Sequence, residues 1–149
     1  MDGTSPKSIE LPHRHRMRVR YAETDQMGRV HHANYLLYLE EARTTMMEDL
    51  GWPYAELERS GLGLVVRNVD LRYRAAAFYA DPLVIETVVS SIRGASVELA
   101  YAVRRESSGE CLASATTQLA CVDLRADPPA VKMLPEDLRG AFESCRAEL

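Results

Sequence analysis

The chain has 149 residues, 46% of them hydrophobic and 27% charged, with a formal net charge of -4. That length and balance describe one globular domain with its own core, and the negative charge speaks against nucleic acid as a partner. No uninterrupted apolar run approaches the ~20 residues of a membrane span, and the first residues lack the apolar segment of a signal peptide, so a cytoplasmic protein without a membrane span is expected.

In chain order, residues 1–12 read as a disordered tail, because Thr4, Ser5, Pro6, Lys7 and Ser8 offer nothing to bury. Residues 13–149 read as the folded domain. From His13 to Tyr21 polar and apolar residues alternate, which predicts a strand with Met17, Val19 and Tyr21 on one face. The stretch Glu23 to Gly28 breaks it. A long helix follows, with Asn34 as its expected N-cap and Tyr35, Leu39, Ala42, Met46 and Leu50 as an apolar stripe. Gly51 and Pro53 stop it, and residues 54–59 fit a short second helix. The period then changes to two. Strands are expected around residues 65–73, from Pro82 to about Ile92, over 96–103, and from Cys111 to about Asp123, before a short helix from Pro135. Short turns between strands imply antiparallel neighbours, so the fold class is α+β, one long helix against one antiparallel sheet. No second long helix covers the far side of the first, so either the sheet wraps it or a partner subunit does.

The chemistry concentrates between the first strand and the helix. Asp25 follows the strand, and the N–H groups of a helix N-terminus come a few residues later. A carboxylate can attack a carbonyl carbon or activate water, and helix N–H groups can hold the resulting oxyanion. The plain alternative for Asp25 is a turn residue. His31 and His32 adjoin the helix start. Their plain reading is capping and local packing, and their functional reading places the His32 N–H on a substrate carbonyl. Tyr21 offers a hydroxyl four positions before Asp25. Among the helix carboxylates, Glu41 is the one with a possible role, and Glu40 is placed to pair with Arg43 on the surface. Arg93, Arg104 and Arg105 flank the later strands and are candidates for holding carrier phosphates. Cys111, Cys121 and Cys145 match no metal spacing. The phosphate-cradling glycine loop, the dinucleotide fingerprint and the Gly-x-Ser-x-Gly elbow are all missing.

The segment RVRYAETDQMGRVHHANYLLYLEEART, from Arg18 to Thr44, resembles the signature of hotdog-fold acyl-CoA thioesterases. It is most similar to the 4-hydroxybenzoyl-CoA thioesterase and Tol-Pal-associated branch, through Tyr21, Thr24-Asp25, Gly28, His32-Ala33-Asn34-Tyr35 and Glu41-Ala42-Arg43. The stretch VDLRYRAAAFYADPLVIET, residues 69–87, resembles a second block, and Val122-Asp123 and LPEDL at Leu134 to Leu138 also fit. The resemblance covers about residues 14 to 142, and His31 departs from it where an aromatic is usual.

The resemblance implies a long helix wrapped by a curled five-stranded antiparallel sheet. It also implies dimers joined sheet to sheet, which often pair into homotetramers, with active sites at the subunit interfaces. The implied activity is hydrolysis of an acyl thioester of coenzyme A or acyl carrier protein, without metal or other cofactor. Asp25 would be nucleophile or general base, His32 the oxyanion donor and Tyr21 a further catalytic group, with Asn34, Tyr35 and Arg93 binding substrate. Two other readings use the same fold: a dehydratase or hydratase of acyl thioesters, and an acyl-thioester binder without catalysis.

Overall fold

The computed structural model describes residues 8–149. Residues 1–7 of the expected tail lie outside that range. Further on, Ile9 and Leu11 already pack half-buried against the core, so apolar burial engages the chain before residue 12.

Strand β1 (His13–Arg18) is shorter than its alternation predicts, since Tyr21–Glu23 form a single 3-10 turn. The cause is the Glu23 carboxylate. Its Oε1 accepts the Arg20 N–H at 2.8 Å and the Tyr38 hydroxyl at 2.9 Å, and its Oε2 accepts Nε and Nη2 of Arg20 at 3.1 and 2.9 Å. The chain therefore folds back on itself after Arg20, and the same carboxylate anchors it to the long helix.

That helix, α1 (Asn34–Asp49), buries its predicted stripe of Tyr35, Leu39, Ala42 and Met46, together with Leu50 just beyond its end. Gly51 ends it at φ +86°, a left-handed conformation open to a residue without a Cβ. The buried face is wider than the stripe, because Tyr38, Arg43 and Met47 also turn inward. Arg43 does not meet Glu40 on the surface. It is only 7% exposed, and it donates from Nε to the Tyr54 hydroxyl at 3.1 Å and from Nη1 to the Tyr101 hydroxyl at 3.3 Å. Tyr101 in turn meets the Thr117 hydroxyl at 2.8 Å. A buried cation needs hydrogen-bond acceptors, and Nε and Nη1 find theirs in hydroxyls rather than in a carboxylate. The network ties α1 to the short helix α2 (Tyr54–Arg59) and to the sheet.

Strands β2 (Leu62–Tyr73), β3 (Pro82–Ile92), β4 (Ser96–Arg105) and β5 (Cys111–Asp123) complete the main sheet in the order β1-β3-β4-β5-β2, all pairs antiparallel. Inward residues of β3, β4 and β5, such as Ile85, Leu99 and Leu119, form one core with the buried face of α1. The loop expected after Asp127 contains a two-residue strand, β6 (Ala130–Val131), which adds to β5, and α3 (Glu136–Glu143) follows Pro135 as predicted. Along β2 the expected alternation is interrupted by a bulge between Val66 and Asn68. Among the described residues the sheet order leaves β2 bonded to β5 on one side only, with Val65, Val66 and Val69 exposed. Among the described residues no helix is long and apolar enough to cross a membrane.

Two outcomes follow from these buried polar groups. Tyr101→Phe strips Arg43 and Thr117 of a partner and should cost about 1–3 kcal/mol in urea unfolding. Burial raises the Glu23 pKa, but the Arg20 N–H, the Tyr38 hydroxyl and the Arg20 guanidinium outweigh it and hold the carboxyl below its ordinary value. A depressed folded pKa gives stability that is present above the unfolded pKa and lost as pH falls through the folded one. Glu23→Gln should therefore be less stable than wild type by about 1–3 kcal/mol at pH 7. The gap should close below about pH 4 in unfolding curves taken across pH.

Candidate active site

Asp25 opens a tight reversal. Its N–H donates to the Arg29 carbonyl at 2.7 Å, the Gly28 N–H returns to the Asp25 carbonyl at 2.9 Å, and Thr24 pairs with Val30. Gly28, at φ +77°, supplies the left-handed step. Inside the reversal Asp25 Oδ1 accepts the N–H of Met27 at 2.9 Å and of Arg29 at 3.2 Å. Oδ2 has no hydrogen-bond partner among the described residues. One oxygen of this half-buried carboxylate is held by backbone and the other is unengaged.

The reversal is fastened to the start of α1 through the Glu23 peptide. Its carbonyl accepts the His31 N–H at 2.9 Å and the Asn34 side-chain amide at 2.8 Å. This corrects the expected N-cap. Ala33 occupies that position in helical conformation, and Asn34 is the first helical residue. Asn34 donates from Nδ2 to the Glu23 carbonyl, and no side chain caps the helix among the described residues. His31 provides the local acceptor, since its Nδ1 takes the Ala33 N–H at 3.2 Å. A neutral His31 then carries its proton on Nε2.

Backbone donation around the helix start leaves one group over. The N–H groups of Asn34, Tyr35 and Leu36 go to the carbonyls of His31, His32 and Ala33, and that of Ala33 goes to His31 Nδ1. The His32 N–H has no acceptor among the described residues. His32 is fixed from the other side, because the Tyr73 hydroxyl at the end of β2 donates to its carbonyl at 2.9 Å. The Tyr73 ring also packs edge-on against Tyr35 at 5.2 Å. Tyr35 itself is 3% exposed, and burial raises its pKa, so its hydroxyl stays protonated. In this chain its ring is a wall beneath the helix start.

Tyr21 stands on the outer side of the loop, 77% exposed, its ring edge-on to Tyr79 at 5.7 Å. Arg93 is not brought to this group. It lies in the β3–β4 turn, while the loop touches the other end of β3 through the Arg29–Phe78 bridge. The 11 residues of β3 separate the two by about 33 Å of extended strand. Arg104 and Arg105 are engaged internally, Arg104 with Glu86 at 2.6 Å and Arg105 with Asp81 and the Ala76 carbonyl. Glu41 lies 3.2 Å from His15 Nε2 on β1. Sequence reasoning missed Glu23 and Tyr73 as site-building residues. Glu23 lies inside the loop segment but reads there as one more polar loop residue, and Tyr73 as one more alternating strand residue.

A family model described as the thioesterase-like superfamily matches residues 19–142. The acyl-CoA thioesterase YbgC of Haemophilus influenzae is 35% identical over 127 residues, covering 85% of this chain and 90% of that protein. A hypothetical protein of Thermus thermophilus, TT1821, superposes with a TM-score of 0.82 at 33% identity, covering 89% of this chain and 98% of that one. The gentisyl-coenzyme A thioesterase BH1999 superposes with a TM-score of 0.78 at 25% identity, covering 87% and 98%. With its sheet order, its buried central helix and a match that takes in both the Asp25 loop and the helix start, the chain belongs to the thioesterase-like superfamily and has its hotdog fold.

Proposed function

We propose that this protein hydrolyses acyl-CoA thioesters, with Asp25 and the His32 N–H as the reacting pair. The observation that carries the reading is their complementarity. Among the described residues, Asp25 has one oxygen anchored and one without a partner, and the His32 N–H is a donor without an acceptor, on a helix start tied to the same loop. The substrate class follows the relatives that are named as acyl-CoA thioesterases.

The thioester carbonyl oxygen takes the His32 N–H, with the positive end of α1 behind it. Asp25 then acts through Oδ2 in one of two ways. As a base it removes a proton from water, and the hydroxide adds to the carbonyl carbon. As a nucleophile it adds directly, and water later opens the mixed anhydride. In both routes the oxyanion collapses, the carbon–sulfur bond breaks and a thiolate leaves without strong acid assistance. Asn34 acts by positioning, through its bond to the Glu23 carbonyl, and Tyr35 and Tyr73 support the helix start from beneath.

The active unit is a dimer that joins two sheets along β2. That strand is 12 residues long, unpaired on its outer side and lined by exposed Val65, Val66 and Val69. Leu36 and Leu37, in the first turn of α1, are exposed as well. A long apolar edge invites another strand. Because Tyr73 belongs to this edge and holds His32, the site would lie close to the join.

Asp25→Asn should keep the fold, since an amide oxygen can still accept from Met27 and Arg29. It should lose about 10²–10⁴-fold in turnover, read as free-thiol release from a panel of acyl-CoA substrates. Activity near wild type would move the chemistry away from Asp25. Replacing both Val66 and Val69 by Lys should convert the dimer to monomer in sedimentation velocity and reduce turnover at least about tenfold. A fully active monomer would remove the partner from the reading.

A further inference from the structure

A shallow groove runs beside the Asp25 loop, walled by Arg18, Val19, Arg20, Tyr21, Tyr79 and Ala80. We propose that it binds the phosphate end of the substrate's pantetheine arm, with Arg18 as the cation and Tyr21 and Tyr79 as the surface the arm lies on. The proposal deepens the thioester-hydrolase reading and rests on it.

Charge is the first argument. Arg14, Arg16, Arg18 and Arg20 alternate along and just beyond β1, all exposed. Arg14 lies 3.5 Å from Glu86, Arg16 3.1 Å from Glu106 and Arg20 2.9 Å from Glu23. Arg18 has no carboxylate within ion-pair reach among the described residues. In a chain with 22 acidic and 18 basic residues, the one arginine of this row without a carboxylate partner among the described residues lines the groove that Tyr21 and Tyr79 wall. Of the arginines that the sequence offered for a carrier phosphate, Arg104 and Arg105 are engaged with Glu86 and Asp81, and Arg93 is at the far end of β3.

Shape is the second argument. Tyr21 and Tyr79 leave 77% and 60% of themselves in solvent, yet meet edge to face. Two large rings held together in the open make a platform for an apolar or amide surface. Tyr79 is presented by a strained turn, in which Ala80 adopts φ +67°, a left-handed conformation disfavoured for a residue with a Cβ. The turn is held by Ala80 N–H to the Val19 carbonyl and by Val19 N–H to the Asp81 carbonyl, both at 3.0 Å. The Asp81 carboxylate also takes the Phe78 N–H at 2.8 Å. Strain kept in place by so many bonds collects at ligand sites.

Position is the third. The Tyr21 carbonyl accepts the Thr24 N–H at 3.1 Å, and Phe78 bridges to Arg29, so both walls of the groove rest on the Asp25 reversal. A thioester at Asp25 can run its arm out over Tyr21 towards Arg18. The arm carries amides and a dimethyl group that suit aromatic faces, and it ends in a phosphate that suits a guanidinium. Coenzyme A and acyl carrier protein share that phosphate, so either carrier can supply it.

The test compares wild type, Arg18→Gln and the remote charge control Arg59→Gln on one acyl group carried by coenzyme A, by acyl carrier protein and by pantetheine without phosphate. In Arg18→Gln the KM for a phosphate-bearing carrier should rise about tenfold with kcat within about twofold. The ratio of kcat/KM between that carrier and pantetheine should fall by the same factor. A loss on acyl-CoA identifies coenzyme A as the source, and a loss confined to the protein carrier identifies its phosphodiester. An unchanged ratio on both carriers, or an equal fall in Arg59→Gln, overturns the proposal. If wild type releases thiol from none of the three, the hydrolase reading fails instead. Calorimetric titration with free coenzyme A then decides the groove: binding weakened about tenfold in Arg18→Gln supports it, and equal or undetectable binding overturns it.

Discussion

The geometry of the candidate site depends on one buried carboxylate, that of Glu23. Glu23, 7% exposed, gathers the Arg20 backbone, the Arg20 guanidinium and the Tyr38 hydroxyl, while its own peptide carbonyl takes the His31 N–H and the Asn34 amide. Through its side chain the end of β1 is tied to the middle of α1. Through its carbonyl the helix start is tied to the residue two places before Asp25. A carboxylate can be taken out of water only when its oxygens are satisfied, and the need to satisfy this one fixes where the loop and helix meet.

The fold was largely legible because its main elements are periodic. The α1 stripe from Tyr35 to Met46 is buried as its spacing requires, and β3, β4 and β5 occupy the segments that alternation marks out. What periodicity cannot express was lost. Arg43 reads as a surface partner for Glu40, yet three hydroxyls from α2, β4 and β5 are placed to receive or support it in the core. Tyr21 continues the strand parity but leaves the strand, because Glu23 turns the chain first. In the candidate site, the Asp25 reversal and the helix start that follows it were legible from the motif. The partners that set their geometry, Glu23 and Tyr73, were not, since a contact between residues 32 and 73 depends on tertiary packing and leaves no local pattern.

The arginines illustrate the same division. Sequence position alone makes Arg93, Arg104 and Arg105 as eligible for a phosphate as Arg18. Structure separates them: Arg104 and Arg105, bound to Glu86 and Asp81, have spent their best donors, and Arg93 lies at the far end of β3. Ion pairing along β1 removes Arg14, Arg16 and Arg20 in the same way and leaves Arg18.

The site sits on the least supported parts of the sheet. Strands β4 and β5 are paired on both sides over most of their length and β3 over its first half, and together they form the centre, whereas β1 and β2 are its edges. Asp25 follows β1, and Tyr73 closes β2 with its hydroxyl on His32. Elements held from one side open more readily than those held from two. A partner strand along β2 would bury the exposed valines and restrain Tyr73, and through Tyr73 it would restrain the peptide that carries the proposed oxyanion donor. Assembly and catalysis would then share one element. In the proposed dimer, a hydrophobic edge that would otherwise be a hazard would become the means by which pairing stiffens the helix start where the proposed reaction holds its carbonyl oxygen.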